Sequence, residues 1–233
     1  MSIVIADMTM SLDGFIADPD DRCDELFGWY FNGPVAVPPF AVSENSARHL
    51  RSGFEHLGAL VCGRRLFDLT GGWNGAHPMG VPVVVVSHRP APFSFVDGVS
   101  RAAAVPFVDV PFSSADAPFS SAEGPFSSVD APFSSVDAPF PSGAAPFSFV
   151  DGVSRAVAAA RELAGPAKWV GVASASIARQ CLELGLLDEI RVALAPVLLG
   201  RGITWFTGVS ARLSDPEIIP GTGVTHLYYK VLK

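Results

Sequence analysis

The dodecapeptide APFSFVDGVSRA occurs twice without a change, at residues 91–102 and 145–156. The offset between the copies, 145 minus 91, is 54 residues, and removing one such period between equivalent points always leaves the same 179 of the 233 residues. This is the mark of an in-frame internal expansion, and a repeat of this kind has to be settled before any fold is considered. Whatever the chain folds into must be built by a core of 179 residues interrupted at 91–144. That is the size of one ordinary domain, long enough to bury a hydrophobic interior without disulfides or metals.

Between the copies run PFSSADA, PFSSAEG, PFSSVDA and PFSSVDA, residues 111–138. A seven-residue period suggests a coiled coil, but a proline in every period removes a backbone donor and clashes with the preceding turn. One Phe and at most one Val per repeat offer too little apolar surface to offset the entropy of ordering the chain. The segment is expected to be a mobile loop with local turns or polyproline-like pieces, emerging between the VVVV strand and a helix at Val153. Its closure penalty grows only logarithmically with length. It is either a neutral passenger or a multivalent Phe-bearing tether. The second copy is the one expected in the fold. The first reaches Pro106 within two turns, whereas the second runs on to Gly165, so Phe147–Val150 reads as a short extended link and Val153–Ala164 as a helix.

The formal charge of −7 points to a partner only until it is divided. Residues 91–144 hold five Asp, one Glu and one Arg, a sum of −5, which leaves the core at −2. That is too near neutral to attract nucleic acid or an anionic membrane. Cys23, Cys62 and Cys181 are scattered and odd in number, which suggests buried free thiols in a reducing cytoplasm rather than a disulfide framework or a thiolate metal site. No charged and apolar leader opens the sequence, and VPVVVVS is the longest apolar run, so neither secretion nor membrane spanning is expected.

SIVIADMTM reads as a buried strand running into the turn SLDGF. Ala47, Leu50, Phe54 and Leu57 mark an amphipathic helix capped by Ser43 and ending at Gly58. GALVCGRR is a strand ending in glycine, RLFDL a short helix and TGGWNGAHPMG a loop. VPVVVVSHR is apolar enough to be central and covered on both faces. VSRAVAAARELAG is a helix, KWVGVA a strand, and SIARQCLELG a helix with a serine start and a glycine stop. DEIRVALAPVLLG is a strand or strand pair, and VTHLYYKV alternates as a final half-exposed strand. The alternation predicts a three-layer α/β domain around a mostly parallel sheet, with an antiparallel tail.

Seven separated motifs stand in one order: MSLDGFIA (10–17), VCGRRLFD (61–68), GGW (71–73), VPVVVVSHRP (81–90), ASIARQCLELGLLDEI (175–190), APVLLGRGI (195–203) and GVTHLYYKV (223–231). Together they resemble the dihydrofolate reductase-like family that includes the reductase domain of bacterial riboflavin biosynthesis. The resemblance implies a doubly covered sheet, a homodimer, and NADPH laid across the carboxyl ends of the central strands.

Gly63, Arg64 and Arg65 then offer a sharp turn, free helix-start N–H groups and fixed charge to a pyrophosphate, or are simply solvated arginines at a helix start. Ser87, His88 and Arg89 stand where the family reads the adenosine 2′-phosphate, the alternative being a plain polar strand exit. Ser11 and Asp13 fall at the edge of the implied substrate pocket. There Asp13 would orient or help protonate the acceptor as hydride arrives, unless Asp-Gly is only a turn pair. Trp29 and Trp73 either wall the pocket or pack in the core. Glu44 and His77 are looser candidates, and no histidine pattern suggests a metal. Gly171, Ala173, Ser174 and Ser176 complete the implied cofactor site, with one departure. The family has Gly-Gly where Ala173 and Ser174 stand, because glycine allows close approach and a backbone conformation that side chains resist. Gly171 is two residues too early to substitute. The implied activity is NADPH-dependent reduction of a small heterocyclic or carbonyl compound; the alternative is a non-catalytic ligand-binding or scaffold domain in which Ala173 and Ser174 impair cofactor binding.

Overall fold

The computed structural model describes residues 2–92 and 147–233. The heptads, most of the first copy and the far boundary expected for the interruption, at residue 144, lie outside the described residues.

β1 (Val4–Ser11) opens the fold. A turn closed by the Gly14 N–H on the Ser11 carbonyl leads to the short β2 (Phe15–Ala17). A 3-10 turn, Gly28–Phe31, and the hairpin β3 (Val35–Val37) and β4 (Phe40–Val42) follow. α1 spans Glu44–His56, with the Ser43 hydroxyl accepting from the Ser46 N–H as expected of an N-cap. It stops two residues short of Gly58, which belongs instead to β5 (Leu57–Gly63). A Cβ at Gly58 would lie 2.7 Å from Lys168 Cβ and 2.8 Å from Ala164 Cβ. Close packing, not helix termination, is what requires glycine there.

α2 (Arg64–Leu69) leaves β5 directly, and β6 (Val83–Val86) returns parallel to β5. β7 (Phe147–Val150) then lies parallel beside β6, so the expected link is an edge strand. α3 (Val153–Ala164) follows between Gly152 and Gly165, both at positive φ. The second copy of the dodecapeptide therefore supplies β7 and the first turn of α3. β8 (Trp169–Val172) leads into α4 (Ala175–Glu183), which begins before the serine start expected of it: Ser174 precedes the helix and Ser176 lies in its first turn. β9 (Glu189–Ala195), β10 (Ile203–Thr204), β11 (Arg212–Leu213), β12 (Glu217–Gly221) and β13 (Val224–Leu232) complete the chain.

The main sheet runs β11-β13-β9-β1-β8-β5-β6-β7, with β12 also on β13. β9 through β7 are parallel, and β13 with its partners is antiparallel. Val4, Ala6, Val61, Val84, Val170 and Val192 face α3 and α4 in the largest core cluster. On the opposite face, Leu60, Cys62, Val83 and Val85 pack with Phe67 of α2, while Ala193 packs with Ala47 of α1. This is the three-layer architecture the alternation predicts. β6 is next to the edge rather than central, yet Val83, Val84 and Val85 are buried because α2 and α3 cover its two faces. Among the described residues no helix is long and apolar enough to cross a membrane. Cys62 and Cys181 are buried free thiols, whereas Cys23 is only half-buried.

Candidate active site

On the face shared by α1 and α2 a cleft of about 1810 Å³ penetrates to the sheet. Ligand pockets commonly hold roughly 300–1,000 Å³, so this volume accommodates more than one small molecule. Its floor is set by strand register. Asp7 of β1 pairs with Arg191 of β9, which pairs with Tyr228 of β13; the next same-face rung is Thr9, Ala193 and His226. His49 of α1 hangs over these rungs, its Nδ1 2.6 Å from the Tyr228 hydroxyl and its Nε2 3.9 Å from Asp7 Oδ2. The His49 and His226 rings stack at 4.4 Å, and His226 Nε2 is 2.9 Å from Ser46 Oγ. The Arg191 guanidinium lies over Trp169 and Tyr228 and is held by Glu189 at 2.8 Å.

Asp7 is ringed by protein mass at the cleft floor, yet its side chain keeps 40% exposure to the cleft. Desolvation raises its pKa to about 6, against the opposing pull of Arg191 and His226. Burial drives His49 and His226 down to about 4, Arg191 adding to the effect at His49 and His49 at His226. At neutral pH the floor therefore carries neutral imidazoles and a carboxyl group that titrates close by. Such a group in a cleft is a candidate acid–base residue. Sequence reasoning passed over Asp7, although a lone carboxylate inside the apolar run SIVIADMTM was the available signal.

The carboxyl edge of the sheet forms the second part of the cleft. α2, α3 and α4 all begin there without a side-chain cap, at Gly63, Gly152 and Ser174, and all three residues line the cleft. Ser174 holds φ +94°, a conformation that glycine adopts more readily, and its hydroxyl accepts the Gly63 N–H at 3.1 Å. Ala173 has no such strain; its N–H continues the ladder to the Val61 carbonyl at 2.9 Å. Of the two departures from Gly-Gly, only Ser174 occupies a position that asks for glycine.

The expected phosphate-binding residues gather at this edge with partners of their own. Arg64 is held by Asp68 at 2.7 Å and donates to the Pro90 carbonyl, and Arg65 pairs with Asp21. His88 lies 2.6 Å from Asp151, and Arg89 lies 3.3 Å from Asp68. Ser87 is turned inward, its hydroxyl accepting the Arg89 N–H and donating to the Arg89 carbonyl. Ser176 lines the cleft at the start of α4. Gly171 lies in mid-strand, where a Cβ would meet Leu57 Cδ1 at 2.8 Å, so it serves floor packing rather than phosphate contact.

Asp13 and Ser11 are not among the cleft-lining residues. The Asp13 carboxylate accepts the Ser11 hydroxyl at 2.6 Å, the Leu199 N–H at 3.1 Å and the Gly200 N–H at 2.7 Å. Ser11 and then these amides hold its pKa below the ordinary carboxylate value. Of the two roles open to it, the structure favours the turn. Trp29 does both: it is 3% exposed in the core, donates to Thr9 Oγ1 at 3.2 Å and stacks on Tyr30, and it also lines the cleft. Trp73 does wall the cleft. It sits in the left-handed turn Gly71–Gly75, edge-on to His77 at 4.9 Å. His77 is driven down to about 4 by burial. Glu44 occupies the first turn of α1, where an acid complements the helix dipole, and does not line the cleft.

Solved structures similar to the whole chain include a protein from Shewanella sp. PV-4 provisionally named for riboflavin biosynthesis, at TM-score 0.60 and 17% identity over 100% of both chains. They also include RibD of Acinetobacter baumannii in two forms, at TM-scores 0.56 and 0.53 and 12% identity. The chain shares the fold of these structures. This chain is covered in full by the match to RibD but spans only 59% and 58% of the two RibD chains. No protein-family model and no curated protein matches the sequence.

Proposed function

We propose that this protein is an NADPH-dependent reductase of a small heterocyclic or carbonyl compound, with Asp7 rather than Asp13 as its proton donor. The observation that carries the reading is that one continuous cleft joins a titrating carboxyl group on its floor to three uncapped helix starts on its rim. The rim residues fit an anionic dinucleotide, because helix starts present N–H groups and positive potential, and Arg64, Arg65, His88 and Arg179 stand among the cleft-lining residues. NADPH, when bound, supplies a hydride. The chain's own task is to hold the acceptor on the floor, exclude water with Tyr30, Phe54 and Trp73, and give it a proton from Asp7.

Titration calorimetry with NADPH tests the cofactor half, and absence of binding at millimolar concentration would overturn it. A substrate panel followed by NADPH absorbance tests the reaction. Asp7→Asn is expected to lower kcat/KM on the order of a hundredfold or more while leaving NADPH affinity intact.

One observation favours a second reading, a domain that binds ligand without hydride transfer: Ser174 Oγ occupies the Gly63 N–H. Ser174→Gly discriminates. A large gain in NADPH affinity would mean that the native serine obstructs the site, and an unchanged affinity that it is tolerated.

A further inference from the structure

We infer that His49 is a positioning residue for Asp7: the Tyr228 hydroxyl donates to His49 Nδ1 and so keeps the proton on Nε2, facing the Asp7 carboxylate, whose ionised form it stabilises. This deepens the proposed reading of Asp7 as the proton donor and rests on it.

The inference stands on geometry first. The 2.6 Å contact between His49 Nδ1 and the Tyr228 oxygen must have one proton between its two heavy atoms. Both partners are neutral near pH 7, the phenol because burial and then Asp7 push it up to about 12, the imidazole because burial holds it near 4. Two arrangements satisfy these conditions. If Nδ1 carries the proton, a bare Nε2 faces an acidic oxygen, which suits only protonated Asp7. If Tyr228 donates, Nε2–H faces Asp7 and favours the carboxylate. Once Asp7 has given up its proton, only the second arrangement leaves a donor opposite the charge.

The ring is not free to turn away. It is 8% exposed in its side chain, stacked on His226 at 4.4 Å and 24°, and tied at Nδ1. The 3.9 Å from Nε2 to Asp7 Oδ2 exceeds a direct hydrogen bond. Asp7, at 40% exposure, has the freedom to close it by rotation, and one water would bridge it. Catalytic hydrogen bonds are often long before a ligand is bound.

The other groups that act on Asp7 come from every element around it. Arg191 of β9 is its register partner and favours the charged form, as does His226 of β13. Asp7 in turn raises the Tyr30 and Tyr228 phenols, and Glu189 lies one rung away beside Arg191. Of the two imidazoles, His226 meets Ser46 Oγ through its Nε2, whereas His49 brings its Nε2 to 3.9 Å from Asp7 Oδ2.

The test is NMR titration of the ligand-free full-length protein, following the Asp7 side-chain carboxyl carbon and the His49 ring nitrogens. The wild type is expected to carry its proton on Nε2 above about pH 7. His49→Leu should raise the Asp7 midpoint by about one pH unit, the worth of one lost hydrogen bond to a charged group. Tyr228→Phe should move it the same way by less and mix the two tautomers. His49→Gln, whose amide keeps a donor, should recover most of the change. An unchanged Asp7 midpoint in His49→Leu overturns the inference, as does a bare Nε2 in the wild type. Where His49→Leu does not fold, an unchanged tautomer in Tyr228→Phe does the same. The midpoint is read without cofactor or turnover. A protein that shows the shift but never oxidises NADPH would refute the reductase reading while leaving the coupling of His49 to Asp7 in place, so the two failures are distinguishable.

Discussion

At the scale of single residues, titration of the cleft floor has consequences for stability as well as chemistry. The Asp7 pKa is raised from 3.8 to about 6 on folding, so between those values the folded state holds more protons than the unfolded one. Its contribution therefore falls as pH rises through that window. His49, His77 and His226 have the opposite sign, each lowered from 6.5 to about 4. Their contribution is complete above 6.5 and is lost as pH falls toward 4. With three such groups against one, the wild-type melting temperature should fall on acidification from about pH 6.5 to 4. Asp7→Asn should melt higher than wild type near pH 8, where it removes a desolvated charge, and show little difference near pH 4; thermal scans across that range check both. Asp7 and Asp13 show how much a single residue reveals alone. Both are carboxylates at plausible positions in one short segment, yet Asp13 is consumed by three donors and Asp7 faces the cleft. Only contacts distant in sequence separate them.

At the scale of elements, local chemistry was read well where local chemistry decides. The Ser43 cap, the limits of α3 between Gly152 and Gly165, and the carboxyl-edge placement of CGRR follow from caps, glycines and apolar period. The end of α1 was misread for a reason the structure supplies: Gly58 has the composition of a stop signal but is required by the approach of α3 to β5. Gly58→Ala should therefore cost about 1–3 kcal/mol in chemical denaturation, since the nearest atoms include the Ala164 backbone at 2.9 Å and cannot all yield. A substitution that left stability unchanged would return Gly58 to the role of an ordinary turn residue. At β7, Phe149 meets Phe67 edge-on at 5.1 Å. Truncating Phe149 to Ala should loosen the edge strand and cost stability of the same order or more, up to about 3–5 kcal/mol if the site cannot collapse.

At the scale of the whole molecule, the duplication makes a prediction that the sheet topology sharpens. Deleting residues 91–144 joins Pro90 to Ala145 and leaves the six residues Ser87, His88, Arg89, Pro90, Ala145 and Pro146 between β6 and β7. Parallel neighbours usually need a longer crossover. Six residues nevertheless reach about 20 Å when extended, against about 10 Å for the length of a four-residue strand. The shortened chain should fold, stay equally soluble and show the same affinity for NADPH, whatever its value, as the full chain. Aggregation, or a melting temperature several degrees lower, would show that the deleted residues contribute to the fold. The sequence by itself determined the helices α1 to α4, the strands β1, β5, β6, β8, β9 and β13, the layered architecture and the role of the second copy of the repeat in β7 and α3, because these rest on periodicity, caps and glycines read along the chain. Only the tertiary structure decided the site. Asp7, His49, Arg191 and Tyr228 come from four elements and meet through the register of β1 on β9 and β9 on β13 under α1. A pKa set by burial and by neighbours that far apart in the chain has no local signature, so strand pairing had to place them before their chemistry could be read.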